Sequence, residues 1–253
     1  MAIKLPSFHI GVDLGQVQDF SAVCVLKKTP EPEGDRARHD VVGLRRFPLG
    51  TSYPRVVAGV AEMVSSPKLR PILEEPPDGE FGGGWTSARV GNPTLLVDGT
   101  GVGRGVMALF LAAGMPAEIV PIVITGGLGW RQDQWDEGGR QAYWVAKAEL
   151  VGAVQAGLQS GTLKIVPGLA EADTLQREME NFRVKVSKSA NELYDAREGQ
   201  NDDVLLALAM SVLHATLPSN IGVWGPDPTR QPRTPSLEQL IATHGEPAIR
   251  RRR

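Results

Sequence analysis

The sequence predicts an α/β protein in which helices flank a mixed central β-sheet. Near the start of the chain, three mostly apolar segments are joined by short connections, which indicates an antiparallel meander of three strands. From Thr94 onward, apolar strands alternate with helical segments, and this alternation is typical of parallel crossover units. The two patterns together predict one sheet with three antiparallel strands followed by parallel strands.

The predicted meander has strands at 8–14, 21–28 and 40–49. The segment "TPEPEGDRARH" between the second and third strands is rich in proline and charge, so it is predicted to be a hairpin loop. The segment "YPRVVAGVAEMVSS" then predicts a helix, because apolar side chains recur on one face at helical spacing. These side chains are Val56, Val57, Val60, Ala61 and Val64.

The later part of the chain supplies the crossover units. A Gly- and Pro-rich stretch at 76–91 first predicts a surface loop. The elements predicted after it are a strand at 94–98, a helix ending at Gly114, a strand at 117–125, a long helix from Arg140 to Gly161, a strand at 162–166, a helix at 170–181, a strand at 182–186 and a final helix at 201–217. This order of elements is that of ribonuclease H-like proteins.

The composition excludes several classes of protein. The chain has 253 residues, a net charge of −2 and one cysteine, Cys24, so it has neither an internal disulfide nor a cysteine-rich zinc site. It lacks an apolar run long enough to span a membrane, and its N-terminus lacks the features of a signal peptide. We therefore expect a soluble protein of a reducing compartment, with one domain over residues 1–217 and a flexible Pro- and Arg-rich tail over 218–253.

Acidic residues stand at three structural boundaries. Asp13 lies in the first predicted strand just before a turn, and Asp98 ends the buried-type strand "TLLVD". Asp202 and Asp203 precede the apolar start of the final helix. Each has an ordinary alternative role: a turn former for Asp13, an Asx-turn for Asp98 and a helix N-cap for the pair.

In the predicted fold, two strand ends and a helix start could bring these acids together. Clustered carboxylates repel one another, and a divalent cation is the usual compensation. Oxygen ligands suit Mg²⁺ or Mn²⁺, with water and substrate phosphates completing the coordination. Two such ions, about 3.5–4 Å apart, can activate a water and stabilise the leaving oxygen. The acids therefore suggest a two-metal site for phosphodiester hydrolysis.

The glycines that follow Asp98 do not form a nucleotide-binding motif. Their spacing in "GTGVGRG" does not match the dinucleotide fingerprint, and the phosphate loop of ATPases occurs nowhere in the chain. A nucleotide site is therefore not predicted.

Several segments occur in the same order as in the nuclease domain of phage large terminase subunits, and the resemblance covers roughly residues 8–216. The most specific blocks are "VDGTGVGR" and "NDDVLLALA"; the others include "GVDLGQVQDFSAV" and "LQREMENFRVKV". The resemblance implies a ribonuclease H-like enzyme that cuts concatemeric viral DNA during genome packaging, with divalent metal held by acids. Carried over by motif, Asp13, Asp98 and Asp203 would be catalytic metal ligands, and Asp202 would help to bind or position metal. Asp19 would not bind metal itself but would help to position the ligands. A role as a polar turn residue is the slightly favoured alternative.

The resemblance also implies partners and a location. The substrate would be double-stranded DNA in the cytoplasm of a bacterial host, with no membrane association. Large terminase subunits usually carry an ATPase motor ahead of the nuclease, whereas here seven residues precede the first predicted strand. A separate packaging ATPase, a portal or a small terminase subunit could therefore act with it. Two alternatives stay open: a Holliday junction resolvase or ribonuclease H-type nuclease, and a non-catalytic packaging scaffold.

Four basic residues are candidates for contacts with DNA, although a solvated surface role is the default for each. Arg104 and Lys147 lie in predicted helices that adjoin the acids, and Arg183 and Lys185 share one face of the predicted strand "FRVKV". Tryptophans 130, 135 and 144 surround a Gly-rich stretch, where core or loop packing is favoured over base stacking.

Overall fold

The computed structural model describes most of the chain as far as Leu217. The described residues are 5–15, 19–31, 36–69, 72–74, 87–89, 91–136, 139–186, 192–195 and 201–217, with the backbone alone described at 72–74, 87–89, 183–186 and 192–195. The predicted tail at 218–253 lies outside them.

Twelve strands and five α-helices are described. They are β1 (Ser7–Asp13), β2 (Ala22–Pro30), β3 (Ala37–Arg46), α1 (Tyr53–Val64), β4 (Ile72–Glu74), β5 (Ser87–Arg89), β6 (Thr94–Asp98), α2 (Gly103–Ala112), β7 (Glu118–Thr125), β8 (Trp130–Gln134), β9 (Gln141–Ala146), α3 (Lys147–Gln159), β10 (Leu163–Ile165), α4 (Ala172–Asn181), β11 (Arg183–Val186), β12 (Glu192–Asp195) and α5 (Asp203–Thr216). A short 3₁₀ helix at Pro67–Leu69 follows α1.

Eight strands form the central sheet, in the order β10-β3-β2-β1-β6-β7-β9-β8. The first three strands pair antiparallel, and β1, β6, β7 and β9 then run parallel to their neighbours. β8 closes one edge antiparallel to β9, and β10 closes the other edge parallel to β3. The predicted fold class, a mixed sheet with an antiparallel half and a parallel half between helices, is confirmed.

The predicted long helix from Arg140 to Gly161 is wrong over its first part. Gln141–Ala146 forms β9, and the helix begins at Lys147. The residues of "YWV" have strong β propensity, and β9 pairs with β7 on one side and β8 on the other. Pairing of β9 in the sheet therefore outweighed the helical periodicity that runs from this segment into α3.

Besides β9, four of the described strands were not predicted. β8 has the sequence "WRQDQ", whose exposed, polar pattern fits an edge strand and gives no apolar alternation to detect. β4 and β5 pair as a small ribbon, so the predicted surface loop at 76–91 contains a short strand, and 75–86 lie outside the described residues. β12 pairs only with β11 among the described strands, and this places "RVKV" in a second ribbon apart from the central sheet.

Apolar side chains pack on both faces of the sheet. One cluster joins α3, α4 and α5 to the sheet, and the other joins α1 and α2 to it. Helix α5 is buried along nearly its whole length. It lies so close to β1 that a Cβ built at Gly11 would overlap the carbonyl oxygen of Ala207. This close packing holds the start of α5 near the end of β1.

Among the helices of the described residues, none is both long enough and apolar enough to cross a bilayer.

Candidate functional site

Asp13 is the last residue of β1, at the centre of the sheet. It stands opposite Ala22 of β2 and is only 7% exposed. Two residues later, the Gly15 N–H donates to Ser21 Oγ at 3.2 Å, and the Gly15 carbonyl accepts from the Tyr53 hydroxyl at 3.2 Å. These contacts hold Gly15 in place, so Asp13 is presented at a fixed strand end.

Asp98 ends β6, the parallel neighbour of β1, and is 8% exposed. Because parallel strands end at the same edge of a sheet, Asp98 lies beside Asp13. Its Oδ1 accepts the N–H of Thr100 at 2.8 Å. The carboxylate therefore also forms the Asx-turn that the sequence suggested as the ordinary role of Asp98. The Thr100 hydroxyl accepts the N–H of Ile124 at 2.9 Å, which ties this turn to β7.

Asp202 and Asp203 stand at the start of α5 in different surroundings. Asp202 Oδ2 lies 2.7 Å from Lys147 Nζ, at the first residue of α3. Asp203 is 5% exposed and takes a hydrogen bond from the Asn201 side chain. The Oδ2 atom of Asp203 is buried and has no hydrogen-bond partner among the described residues.

These acids line one cleft of about 360 Å³ at the carboxyl edge of the parallel strands. The structure thus brings Asp13 and Asp98 together with the adjacent pair Asp202 and Asp203, from three distant parts of the sequence. Asp19 is exposed and lines the same cleft. The rest of the lining comes from the turns that follow β1 and β6 and from Asn201: Leu14, Gly15, Thr100, Gly101, Val102 and Asn201.

The cleft holds more negative charge than its surroundings neutralise. Burial raises the pKa of Asp13 well above its usual value, and repulsion from Asp98, Asp203 and Asp202 raises it further, against an opposing effect of Lys147. Burial also raises the pKa of Asp98, although the hydrogen bonds from Thr100 act in the other direction. The pKa of Asp203 rises to about 6, mainly through burial. A cation in the cleft would relieve this repulsion.

Sequence reasoning missed Glu178, a buried acid on α4. Its Oε2 accepts the N–H of Leu205 at 2.8 Å, in the first turn of α5, and its Oε1 is buried without a hydrogen-bond partner among the described residues. Burial is the largest cause that raises its pKa, to about 7; the Leu205 bond lowers it, and Asp203 and Asp202 raise it. Glu178 stands between Arg177 and Met179 in a mostly polar helix, where a charged side chain usually faces solvent, so sequence reasoning gave no reason to expect it beside the acids.

Arg46, the last residue of β3, was also missed. Its guanidinium stacks 4.1 Å from the centroid of the Phe20 ring, and its Nε lies 3.8 Å from Glu171 Oε2. Its positive charge lowers the pKa of both Glu178 and Asp203. Arg46 therefore supplies part of the local compensation for the acids.

The four predicted DNA contacts have different surroundings. Lys147 is on α3 beside the cleft and pairs with Asp202. Arg104 is exposed in the first turn of α2, with its guanidinium 4.9 Å from the centroid of the Trp135 ring. Arg183 and Lys185 are in β11, where their side chains lie outside the described residues.

The donor set fits a hard divalent cation. The acids offer carboxylate oxygens only, and at Asp203 one buried oxygen still lacks a partner in the described part of the chain. Mg²⁺ and Mn²⁺ favour such ligands and complete their coordination with water and phosphate oxygens. Within the described ranges, no group of three His, Cys, Asp or Glu side chains is already arranged to hold an ion.

No protein-family model and no curated protein matches the chain. Among solved structures, the large terminase nuclease from the thermophilic phage G20c superposes with a TM-score of 0.50 at 17% identity, over 81% of each chain. A structure of that nuclease with bound cobalt gives a TM-score of 0.50 at 17% identity, over 82% of this chain and 80% of that one. The large terminase nuclease domain of Thermus phage P74-26 matches with a TM-score of 0.50 at 17% identity, over 81% of this chain and 78% of that one. These matches confirm the resemblance predicted from the sequence: this chain has the fold of the nuclease domains of phage large terminase subunits.

Proposed function

We propose that this protein is a divalent-metal-dependent endonuclease that cleaves double-stranded DNA during packaging of a phage genome. The observation that carries the proposal is the cleft in which two parallel strand ends and a helix start present Asp13, Asp98 and Asp203. The same fold in phage terminase nucleases supports the choice of substrate.

In this proposal, Asp13, Asp98 and Asp203 hold two ions, Mg²⁺ or Mn²⁺, with Asp202 as a further ligand or positioning group. The oxygen-only donor set and the unpartnered Asp203 oxygen support this assignment. When bound, such ions supply an activated water and stabilise the leaving oxygen of a phosphodiester. A nuclease domain with bound cobalt among the similar structures supports a divalent metal.

The chain's own residues then orient the acids and admit the substrate. The Thr100 N–H holds Oδ1 of Asp98 and so fixes the orientation of this carboxylate at the cleft. Lys147 fixes Asp202 by an ion pair, and exposed Asp19 stands at the mouth and supports the site through its charge. The cleft is open to solvent, so a DNA strand can enter it, and Arg104 lies next to its rim for contacts with phosphates.

The deciding experiment replaces Asp98 with Asn and measures nicking of supercoiled plasmid with Mg²⁺ or Mn²⁺. The amide keeps the shape and removes the charge, so we expect a loss of at least about 100-fold, because binding of the ions depends on that charge. Asp40→Asn is the matched control. Asp40 lies six positions before Arg46, the end of β3 that is nearest to the acids, and it pairs with Arg38 at 2.8 Å. Circular dichroism of both variants shows whether they are folded, and calorimetric Mg²⁺ titration of the folded variants then shows whether metal binding is lost.

Cutting by the Asp98→Asn protein at the wild-type rate would reduce Asp98 to a turn former and overturn the proposal. We also expect little sequence preference and no release of phosphate from ATP. Parallel assays on branched DNA and on RNA–DNA hybrid test the two other nuclease readings. Metal binding without cleavage of any of these substrates would favour a packaging scaffold.

A further inference from the structure

Two arginines and two tryptophans form a continuous row of side-chain contacts beside the cleft, which we call the Arg–Trp row. The guanidinium of Arg104 lies 4.9 Å from the centroid of the Trp135 ring. The ring centroids of Trp135 and Trp144 are 6.3 Å apart, and the guanidinium of Arg131 lies 5.3 Å from the centroid of the Trp144 ring. The order of contacts is therefore Arg104, Trp135, Trp144, Arg131.

One end of the row lies beside the turn that follows Asp98. Trp135 covers the backbone just after Asp98, since a Cβ built at Gly99 would lie 2.7 Å from the Trp135 ring. Arg104 stands two residues after Val102, which lines the cleft. One end of the row is thus continuous with the turn that carries Asp98.

The row ends at the edge of the sheet. Arg131 belongs to the edge strand β8 and stands opposite Trp144 of β9 in the register, so the two side chains lie on the same face. The Arg131 side chain is 63% exposed, and its Nε is 3.8 Å from Asp133 Oδ2. At that distance, and with both groups exposed, the pair is weak and leaves the guanidinium able to bind an anion.

Stacking gives these arginines a fixed orientation while the N–H groups at the rim of each guanidinium can reach outward. A planar guanidinium held on an aromatic face loses less freedom when it binds a phosphate, and its paired donors match the phosphate oxygens. The tryptophan rings are only partly exposed and each carries a guanidinium. Base stacking on those covered faces is therefore disfavoured, and the ligand chemistry is that of a sugar–phosphate backbone.

We infer that the Arg–Trp row is a track for the phosphodiester backbone of the DNA duplex that flanks the cutting cleft. The inference rests on the proposed nuclease function and adds to it Arg131, Trp135 and Trp144. Because phosphate contacts position a duplex without reading its bases, the track accounts for binding with little sequence preference.

The test measures binding of the full chain to a fluorescent duplex by anisotropy, with EDTA present so that no cleavage occurs. Arg104→Ala and Arg131→Ala should each weaken binding about 3- to 10-fold at low salt. Each should also lower the slope of log affinity against log salt by about 0.9, the value for one lost phosphate contact. Trp144→Leu keeps both charges and should weaken binding in the same direction, because Arg131 loses its platform.

Arg38→Ala is the matched control. Arg38 is also an exposed strand arginine with an aspartate partner two residues later, at 2.8 Å from Asp40, and it lies in the half of β3 away from the acids. It should bind DNA as the wild type does. Circular dichroism of each variant confirms that it is folded.

Wild-type affinity and salt slope in Arg104→Ala and Arg131→Ala, or an equal loss in Arg38→Ala, would overturn the track. Wild-type affinity in Trp144→Leu would overturn the role of stacking. These outcomes are independent of the Asp98→Asn cleavage result. A failure of the track therefore leaves the proposed nuclease standing, and a failure of the nuclease leaves the binding data interpretable.

Discussion

Replacement of Glu178 by Gln should stabilise the metal-free protein at alkaline pH. Glu178 is buried, and its Oε2 accepts the Leu205 N–H in the first turn of α5. Glutamine has the same shape and keeps one oxygen that can accept this bond. It removes the negative charge that burial and the neighbouring acids destabilise.

The size of the effect follows from the raised pKa of Glu178, about 7 against an ordinary value of 4.5. Between these values the folded protein keeps a proton that the unfolded chain has released. The free energy of unfolding therefore falls as pH rises through this window, by up to about 3 kcal/mol in total. Because Gln does not titrate, the variant should match the wild type near pH 4.5. It should exceed the wild type by about 1–3 kcal/mol at pH 8, where the wild-type loss is complete.

The assay is urea unfolding in EDTA at pH 4.5, 6 and 8 for the wild type, Glu178→Gln and Glu180→Gln. Glu180 is the matched control, since it is exposed on the same helix and accepts a hydrogen bond from Gln176 at 2.8 Å. Because Glu180 is exposed, its variant should not show the gain in stability at pH 8 that is expected of Glu178→Gln. The reasoning is refuted if the difference in the free energy of unfolding between wild type and Glu178→Gln is the same at pH 4.5 and pH 8.

Two further predictions concern the start and the end of α5. Asp203→Ala should reduce cleavage and Mg²⁺ binding more than Asp202→Ala, because Lys147 already compensates the charge of Asp202 at 2.7 Å, whereas Asp203 has no such ion pair among the described residues. Equal, mild losses in both assays would favour a capping role for the pair. His9 Nδ1 and His214 Nδ1 are 3.0 Å apart, and burial, as the largest cause, lowers the pKa of His9 to about 3 and that of His214 to about 4. Below about pH 6.5 the unfolded chain therefore takes up protons that the folded protein does not, and wild type should lose stability relative to His214→Gln by up to about 1.4 kcal/mol per pH unit. If the free energies of unfolding of wild type and His214→Gln changed in parallel between pH 7 and pH 4.5, the lowered pKa of His214 would be contradicted.

The sequence by itself determined six of the eight strands of the central sheet, all except β8 and β9, and the acids that stand at the ends of β1 and β6 and at the start of α5. "TLLVD" predicted a strand that ends at Asp98, and the structure has that strand at Thr94–Asp98. The apolar run after Asp203 likewise predicted a buried helix, and α5 begins at Asp203. Such features are readable because strand and helix periodicity depend on residues that are near one another in the chain.

Only the tertiary structure decided which distant groups meet the acids. Lys147 reaches Asp202 because β9 ends just before α3, at the point where sequence periodicity had predicted an uninterrupted helix. Glu178 is on a polar helix, yet α4 packs against α5 and turns this acid towards the N–H of Leu205. Strand pairing, helix packing and burial depend on residues separated by long stretches of chain, and their free energies outweigh the local preferences that a sequence pattern records.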